Sequence, residues 1–182
     1  AAGDRGGETE TLSTLGIVAL RQGNYEVAAG HLQQALAGWR DVGFRLGEAE
    51  ALIHLGAVAL RRGDHAGAAS QLQLSLGLWR DLGNQRGEAG ALNGLGDVAL
   101  AEGLPELART HYTRALQLAS EVSSKDEEAR AHAGLGDADH AAGYDDRARS
   151  HWQQALAIFA ELGAPEADEV RARLERSAGQ PG

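Results

Sequence analysis

The chain has 182 residues, a formal net charge of −9 and no cysteine. The absence of cysteine excludes a disulfide framework, a thiol nucleophile and a thiolate metal site. The acidic balance argues against direct binding to nucleic acid, which requires a basic surface. No stretch approaches the roughly 20 apolar residues that span a bilayer, and no signal-peptide pattern opens the chain, so we expect no membrane contact and a cytoplasmic location.

One sequence phrase recurs at a fixed spacing along the chain. Its second copy reads LGAVALRRGDHAGAASQLQLSL, and the copies begin every 40 residues without insertion or deletion, at Leu15, Leu55, Leu95 and Leu135. Self-similarity at one fixed period is typical of stacked repeat units that share a continuous core.

The first seven residues align with a loop between repeats, since Gly3 to Glu8 corresponds to Gly83 to Glu88. We therefore predict a linker remnant over residues 1–7. Because position 1 is not methionine, we also expect that the chain begins partway through a longer gene product or has been processed. The linker remnant predicts that another repeat precedes it.

Each repeat is predicted to form two helices. In the second copy, Leu52, Leu55 and Val58 recur at the spacing of one helix face. Gly63 ends this first helix, and Asp64 is suited to cap the second helix. The predicted repeats are residues 8–47, 48–87, 88–127 and 128–164.

Glycine also recurs inside the first helices, where it costs about 1 kcal/mol relative to alanine. Its repetition at one register predicts a close approach between helices, opposite a series of small alanines. The glycines are Gly16, Gly56, Gly96 and Gly136, and the alanines are Ala28, Ala68, Ala108 and Ala148.

The C-terminal segment differs from the repeats. Pro165 suits the first turn of a helix, and Ala167, Val170 and Leu174 form a narrow apolar stripe among charged residues. We predict a capping helix over residues 165–178, with one face for the last repeat and one for water, and a disordered tail over 179–182.

The spacing of the repeated residues resembles the tetratricopeptide repeat (TPR), whose unit carries Leu-Gly in its first helix and Ala-x3-aromatic in its second. This chain has Leu15-Gly16, Ala108-x3-Tyr112 and Ala148-x3-Trp152. The resemblance covers roughly residues 8–167 and implies an all-α fold, an α-solenoid of four helix–turn–helix repeats plus the capping helix. Two departures are the period, which is about 34 residues in the family, and the smaller side chains of the first helices. HEAT and armadillo repeats match the length better but lack this residue series.

A finer resemblance is to actinobacterial proteins. Arginine outnumbers lysine 16 to 1, and segments such as LWRDLGNQRGEAGALNGLGDVAL and PEADEVRARL resemble the C-terminal TPR regions of STAND/NB-ARC or SARP-type transcriptional regulators. This resemblance implies the sensory or partner-binding end of a bacterial regulator. The partner would be a protein, a peptide or another domain of the same full-length chain.

The histidines and one polar segment are the candidates for metal chemistry. His31, His111 and His151 fall on successive repeats and do not converge, so we interpret them as surface or inter-repeat residues. The segment from Asp137 to Asp146 lacks the spacing of a calcium loop, and we interpret it as a solvated wall of a groove. We therefore predict no metal site and no cofactor.

Aromatic residues and catalytic motifs complete the survey. Trp39, Trp79 and Phe159 share one register and continue the apolar stripes of second helices, so we predict that they are buried between repeats. The sequence has no nucleophile elbow, Walker loop or H-E-x-x-H motif, so we predict no catalytic residues and no enzyme activity.

The TPR resemblance implies that the first helices line a groove for a peptide or helix of a partner. The lysine and asparagine pattern of chaperone-binding TPRs is absent. The groove is apolar with arginines in its first half and acidic in its second half, which predicts a partner segment of complementary charge. The predicted groove residues are Ser13, Ile17, Leu20, Arg21, Ile53, Ala57, Leu60, Arg61, Asn93, Asp97, Leu100, Asp137 and His140.

The alternative is a structural array that associates with itself. An exposed edge of the solenoid would offer an apolar surface to a second copy and form a homodimer.

Overall fold

The computed structural model describes residues 5–178, which form nine α-helices and no strand. The helices that open the repeats are α1 (Arg5–Arg21), α3 (Arg45–Arg61), α5 (Gln85–Ala101) and α7 (Lys125–Ala141). The helices that close them are α2 (Tyr25–Asp41), α4 (His65–Asp81), α6 (Pro105–Glu121) and α8 (Asp145–Leu162), and α9 (Glu166–Ala178) follows. The predicted pair of helices in each repeat is thereby confirmed.

The chain divides into two compact units. In the first unit (Ala1–Gly94), α1 packs on α2, α2 on α3, and α3 on α4. In the second unit (Leu95–Gly182), α6 packs on α7, α7 on α8, and α8 on α9. Helix α5 contributes its first part to the first unit and its last part to the second.

Each turn between consecutive helices contains one residue in the left-handed backbone conformation. Asp64 caps α4 by accepting a hydrogen bond from the Gly67 amide at 2.9 Å, as predicted, whereas the Asn24 side chain does not cap α2. Ser123 takes the left-handed conformation with φ of 56°, which is unfavourable for a residue with a side chain. Glycine occupies the other left-handed turn positions: Gly23, Gly43, Gly63, Gly83, Gly103, Gly143 and Gly163.

The glycines inside the first helices lie against large buried side chains. A Cβ atom on Gly56 would lie 2.7 Å from Cγ of Leu72, and one on Gly94 would lie 2.7 Å from Cδ2 of the same leucine. In the second unit, Tyr112 lies in the same way against Gly96 and Gly134. The predicted close approach is confirmed, and the side chains that fill the space belong to the Ala-x3-aromatic register.

The observed first residues of the first helices and of the capping helix differ from the predicted boundaries. Helix α1 begins at Arg5, inside the predicted linker, and the other first helices also begin three residues before the predicted repeat bounds. Gly47 lies in the first turn of α3, where a Cβ would be 2.7 Å from the Trp39 ring. The capping helix begins at Glu166, one residue later than predicted. Residues 1–4 of the predicted linker and the predicted tail 179–182 lie outside the described residues.

The close approach at Gly56 can be tested by substitution. Gly56→Ala should lower the free energy of unfolding by about 1–3 kcal/mol, because Leu72 must move within a packed core. Gly77→Ala is the matched control, since Gly77 lies inside α4 with no atom within 4 Å of its Cβ position. The control should raise stability by about 0.5–1 kcal/mol through helix propensity. Urea unfolding followed by circular dichroism measures both, and equal effects would contradict the packing argument.

Candidate functional site

The first unit contains a cavity of about 640 Å³ between α1, α3 and the segment that joins α2 to α3. We call it the first-unit cavity. Two predicted groove residues, Ser13 and Ile17, line it. Its other lining residues are Gly6, Glu10, Thr14, Trp39, Val42, Phe44, Glu50, Ala51 and His54.

Two aromatic rings form part of the cavity wall. The rings of Trp39 and Phe44 have centroids 5.1 Å apart at an angle of 56°. Trp39 donates a hydrogen bond from Nε1 to Ser13 Oγ at 3.2 Å, which fixes the indole relative to α1. Trp79 and Phe159 are buried as predicted, but Trp39 is only partly buried, so its ring is accessible from the cavity.

The same cavity carries two carboxylates. Glu10 comes from α1 and Glu50 from the equivalent position of α3. Partial burial raises the pKa of Glu50 above its ordinary value, and the nearby charge of Arg86 opposes that rise. Sequence reasoning missed both carboxylates, although their register holds Gly90 and Arg130 in the later repeats and so already sets the first two repeats apart.

Apart from Asn93, the remaining predicted groove residues of the first unit fall into two groups. Leu20, Ile53, Ala57 and Leu60 are partly buried, and Leu20 packs against the hydrophobic cluster of α2 and α3. Arg21 and Arg61 are exposed in the last turns of α1 and α3.

Asn93 requires a correction. Its side chain is only 1% exposed, so it does not face an open groove. On the helix surface it lies between Ala89 and Gly96, four residues before and three after, and both are buried. Position 93 therefore belongs to the buried stripe of α5.

In the second unit, the predicted acidic residues accept hydrogen bonds from buried aromatic side chains. Tyr112 donates from its hydroxyl to Asp97 Oδ1 at 2.7 Å, and Trp152 donates from Nε1 to Asp137 Oδ1 at 2.9 Å. In the first two repeats the same two registers hold Ile17 with Leu32 and Ala57 with Leu72. At this register, an aspartate therefore accompanies Tyr112 and Trp152, the two aromatic residues that replace leucine.

Burial changes the pKa values of the groups that form these hydrogen bonds. Burial raises the pKa of Tyr112 well above its usual range, and the adjacent Asp97 charge adds to the rise. Burial also raises the pKa of Asp137, although Arg173 opposes this. The phenol consequently remains a neutral donor to Asp97.

The other predicted residues of this unit also contact neighbouring side chains. Arg173 of α9 lies 3.3 Å from Asp137, and His140 Nδ1 lies 2.6 Å from Asp145. Leu100 packs against the cluster around Tyr112. A smaller cavity of about 260 Å³ is lined by Asp137, His140, Trp152, Arg173, Arg176 and Ser177. Helix α9 thus supplies part of the wall beside the predicted acidic residues.

The polar segment that we interpreted as a solvated wall is partly internal. Asp139 is only 1% exposed and replaces the alanines Ala19, Ala59 and Ala99 of the earlier repeats. Arg147 lies 3.0 Å from its Oδ1, and His151 Nε2 lies 3.8 Å from its Oδ2. The solvated interpretation is wrong for Asp139, because its side chain is buried and the charged Arg147 lies beside it.

Two histidines meet beside this carboxylate. Nδ1 of His132 and Nδ1 of His151 are 3.1 Å apart, a contact that the register of His31, His111 and His151 does not predict. Burial lowers the pKa of His132, and the charge of His151 lowers it further. Burial also lowers the pKa of His151, with Asp139 acting in the opposite direction.

Among residues 5–178, no group of three or more metal-ligating side chains is arranged to hold an ion. None of the helices in this range combines the length and apolar character required to cross a membrane.

Pairs of helices repeated at one register, with small residues at their contacts, define an α-helical repeat protein of the solenoid class. The chain belongs to the tetratricopeptide repeat family, whose sequence profile matches residues 8–81 and 87–173. This repeat is a scaffold for protein–protein interaction and is typically non-catalytic. No curated protein sequence matches the chain significantly.

Solved structures share this fold at low sequence identity. The crystal structure of the apo form of RapI is similar with a TM-score of 0.75 and 15% identity, over 93% of this chain. This chain spans 62% of the length of RapI. BtubC (BKLC) from P. vanneervenii is similar with a TM-score of 0.70 and 18% identity, over 98% of this chain and 84% of BtubC. At these identities the likeness is one of fold.

The Tyr112–Asp97 bond can be tested by a double-mutant cycle. Asp97→Ala should lower the free energy of unfolding by about 1 kcal/mol, because the buried hydroxyl loses its acceptor. In the Tyr112→Phe background the same substitution should have a smaller effect, since no hydroxyl remains. Urea unfolding of the four proteins gives the coupling. Equal effects of Asp97→Ala in both backgrounds would show that the aspartate does not serve the tyrosine.

The histidine pair predicts loss of stability in mild acid. The pKa values of His132 and His151 are lower in the folded chain than the ordinary value of 6.5. The unfolded chain therefore takes up protons first as the pH falls below about 6.5, and stability decreases from that pH downward. The melting temperature, followed by circular dichroism between pH 8 and pH 5, should fall over this range.

Two variants test whether the loss of stability in acid comes from the histidine pair. His132→Leu introduces the residue found at Leu12, Leu52 and Leu92, and it should reduce the acid loss. His65→Tyr, which copies Tyr25, removes a histidine from the first unit and should leave the loss unchanged. An unchanged pH profile in His132→Leu would refute the assignment.

Proposed function

We propose that this chain is the partner-binding part of a larger bacterial regulator. It holds a peptide or helix on the first-helix face, by which we mean the exposed surface of α1 and α3. The partner is another protein or another domain of the same full-length chain, with no direct contact to nucleic acid or membrane. The regulator role rests on the sequence resemblance, and we propose a cytoplasmic location.

The first-unit cavity carries this proposal. Its volume of about 640 Å³ is lined from both first helices, and apolar residues reach its rim. Val42 and Phe44 are each 46% exposed there. Exposed apolar surface beside polar residues is typical of interaction sites, because water is released when a partner covers it.

Charge is distributed along the first-helix face in a definite order. Glu10 and Glu50 lie toward the beginning of α1 and α3, whereas Arg21 and Arg61 lie in the last turns. A segment with a basic end, an apolar middle and an acidic end fits this order, since complementary charges set the register of a bound segment. The sequence analysis predicted that the partner segment presents only apolar and acidic groups to the first half of the groove. Glu10 and Glu50 revise that prediction, because they add a place for basic groups.

Self-association is the second candidate function. Leu15 and Val18 of α1 are 46% and 44% exposed, whereas Leu55 and Val58 at the same register are buried in the cluster of α2 and α3. This apolar edge of α1 is suited to a second copy of the chain. A sedimentation mass that rises with protein concentration distinguishes this alternative from a module that binds only other proteins.

The first-helix face can be tested with peptides selected from a displayed random library. Arg61→Glu should weaken their binding about two- to fivefold, the contribution of an exposed charge pair, because the acidic end of the peptide then meets a negative charge. Isothermal titration calorimetry measures the affinity, and circular dichroism should show unchanged helicity.

Arg114→Glu is the control for this experiment. Arg114 is exposed on α6, a second helix, and its reversal should leave peptide affinity unchanged. If Arg61→Glu had no effect while Arg114→Glu abolished binding, the interface would lie on the second helices and the proposal would fail.

A further inference from the structure

The polar groups of the first-unit cavity are not required by the repeat fold. At the register of Glu10 and Glu50 the later repeats carry Gly90 and Arg130, and they form the same pair of helices. At the register of Phe44 they carry Asn84, Ser124 and Ala164. Because the repeat fold accepts different residues at these positions, the side chains present in the first unit can serve binding.

The cavity combines aromatic faces with negative charge. Trp39 and Phe44 present ring surfaces, and Glu10 and Glu50 contribute carboxylates. The lining residues include no lysine and no arginine. Aromatic faces attract cations through the ring quadrupole, and carboxylates attract them through charge, so both groups favour the same class of ligand.

Among cationic side chains, arginine suits this combination best. Its planar guanidinium stacks on aromatic rings and donates paired hydrogen bonds to carboxylates, and it is less strongly hydrated than an ammonium group. The apolar lining of Ile17, Val42 and Ala51 provides contact for the arginine stem and for a neighbouring apolar residue.

We propose that the first-unit cavity binds an arginine side chain, flanked by an apolar residue, from the segment of the partner protein. This inference rests on the proposed function, because it names the chemistry of the basic end of the bound segment. Glu10 and Glu50 hold the guanidinium from α1 and α3, while Trp39 and Phe44 contact its plane and stem.

The experiment uses the full chain and the blocked dipeptide N-acetyl-leucyl-arginine amide as the probe. The indole resonance of Trp39 in a proton–nitrogen NMR spectrum reports occupancy, since its Nε1 bonds to Ser13 at the cavity wall. The indoles of Trp79 and Trp152, both buried, serve as internal references. Titration should shift the Trp39 signal in a saturable way and leave the references in place.

Two comparisons test the charge. The citrulline dipeptide has the shape of the arginine probe without its charge, and it should bind at least about twofold more weakly. Glu10→Gln and Glu50→Gln should each weaken arginine binding about two- to fivefold, whereas Glu106→Gln, on α6, should not. Equal binding of the two dipeptides, or unchanged affinity in both glutamine variants, would overturn the inference.

The outcomes separate this inference from the proposed function. If library peptides bind the first-helix face and the arginine probe does not shift Trp39, the arginine assignment is wrong and the proposed function stands. If the probe binds as expected while library peptides depend on Arg114 and not Arg61, the cavity assignment stands and the proposed interface is wrong.

Discussion

The contact between a first-helix glycine and a large side chain of the following helix is the constraint on which each repeat depends. Gly56 against Leu72 and Gly96 against Tyr112 are examples, and in both a Cβ atom would overlap the neighbour. A missing side chain lets the two helices approach closely, and close-packed interiors tolerate little change at such a contact. The same contact recurs at the 40-residue period of the sequence.

Changes at the large side chain of this contact account for much of the polarity in the second unit. Tyr112 and Trp152 fill the space that leucine fills earlier, and each carries a donor that needs an acceptor. Asp97 and Asp137 accept those bonds, so their charge serves packing. In the first unit the corresponding positions hold Ile17 and Ala57, so neither position carries a charge that serves packing.

In the last repeat a buried carboxylate lies beside basic residues, whereas Asp97 and Asp137 accept hydrogen bonds from neutral aromatic donors. Asp139 occupies a position that alanine holds in the other repeats, and Arg147 and His151 surround it. Buried ionic groups are stable only while every partner is present, so this repeat depends on protonation state in a way that apolar repeats do not. The pH dependence that we predict is thus assigned to the histidines of this charged cluster.

The sequence by itself determined the helices, their turns and the family, because these follow from local periodicity, from glycine at left-handed turns and from a fixed repeat. It also indicated the close approach at Gly16, Gly56, Gly96 and Gly136, since a costly residue recurred at one register. Only the tertiary structure decided which side chains meet. Glu10 and Glu50 are one repeat apart in sequence, and His132 and His151 lie on different helices, so no local pattern joins them. Asn93 aligns with the partly buried Ser13 and Ile53, and Asp139 aligns with alanines, so the burial of these two polar residues depends on the neighbouring helices that cover them.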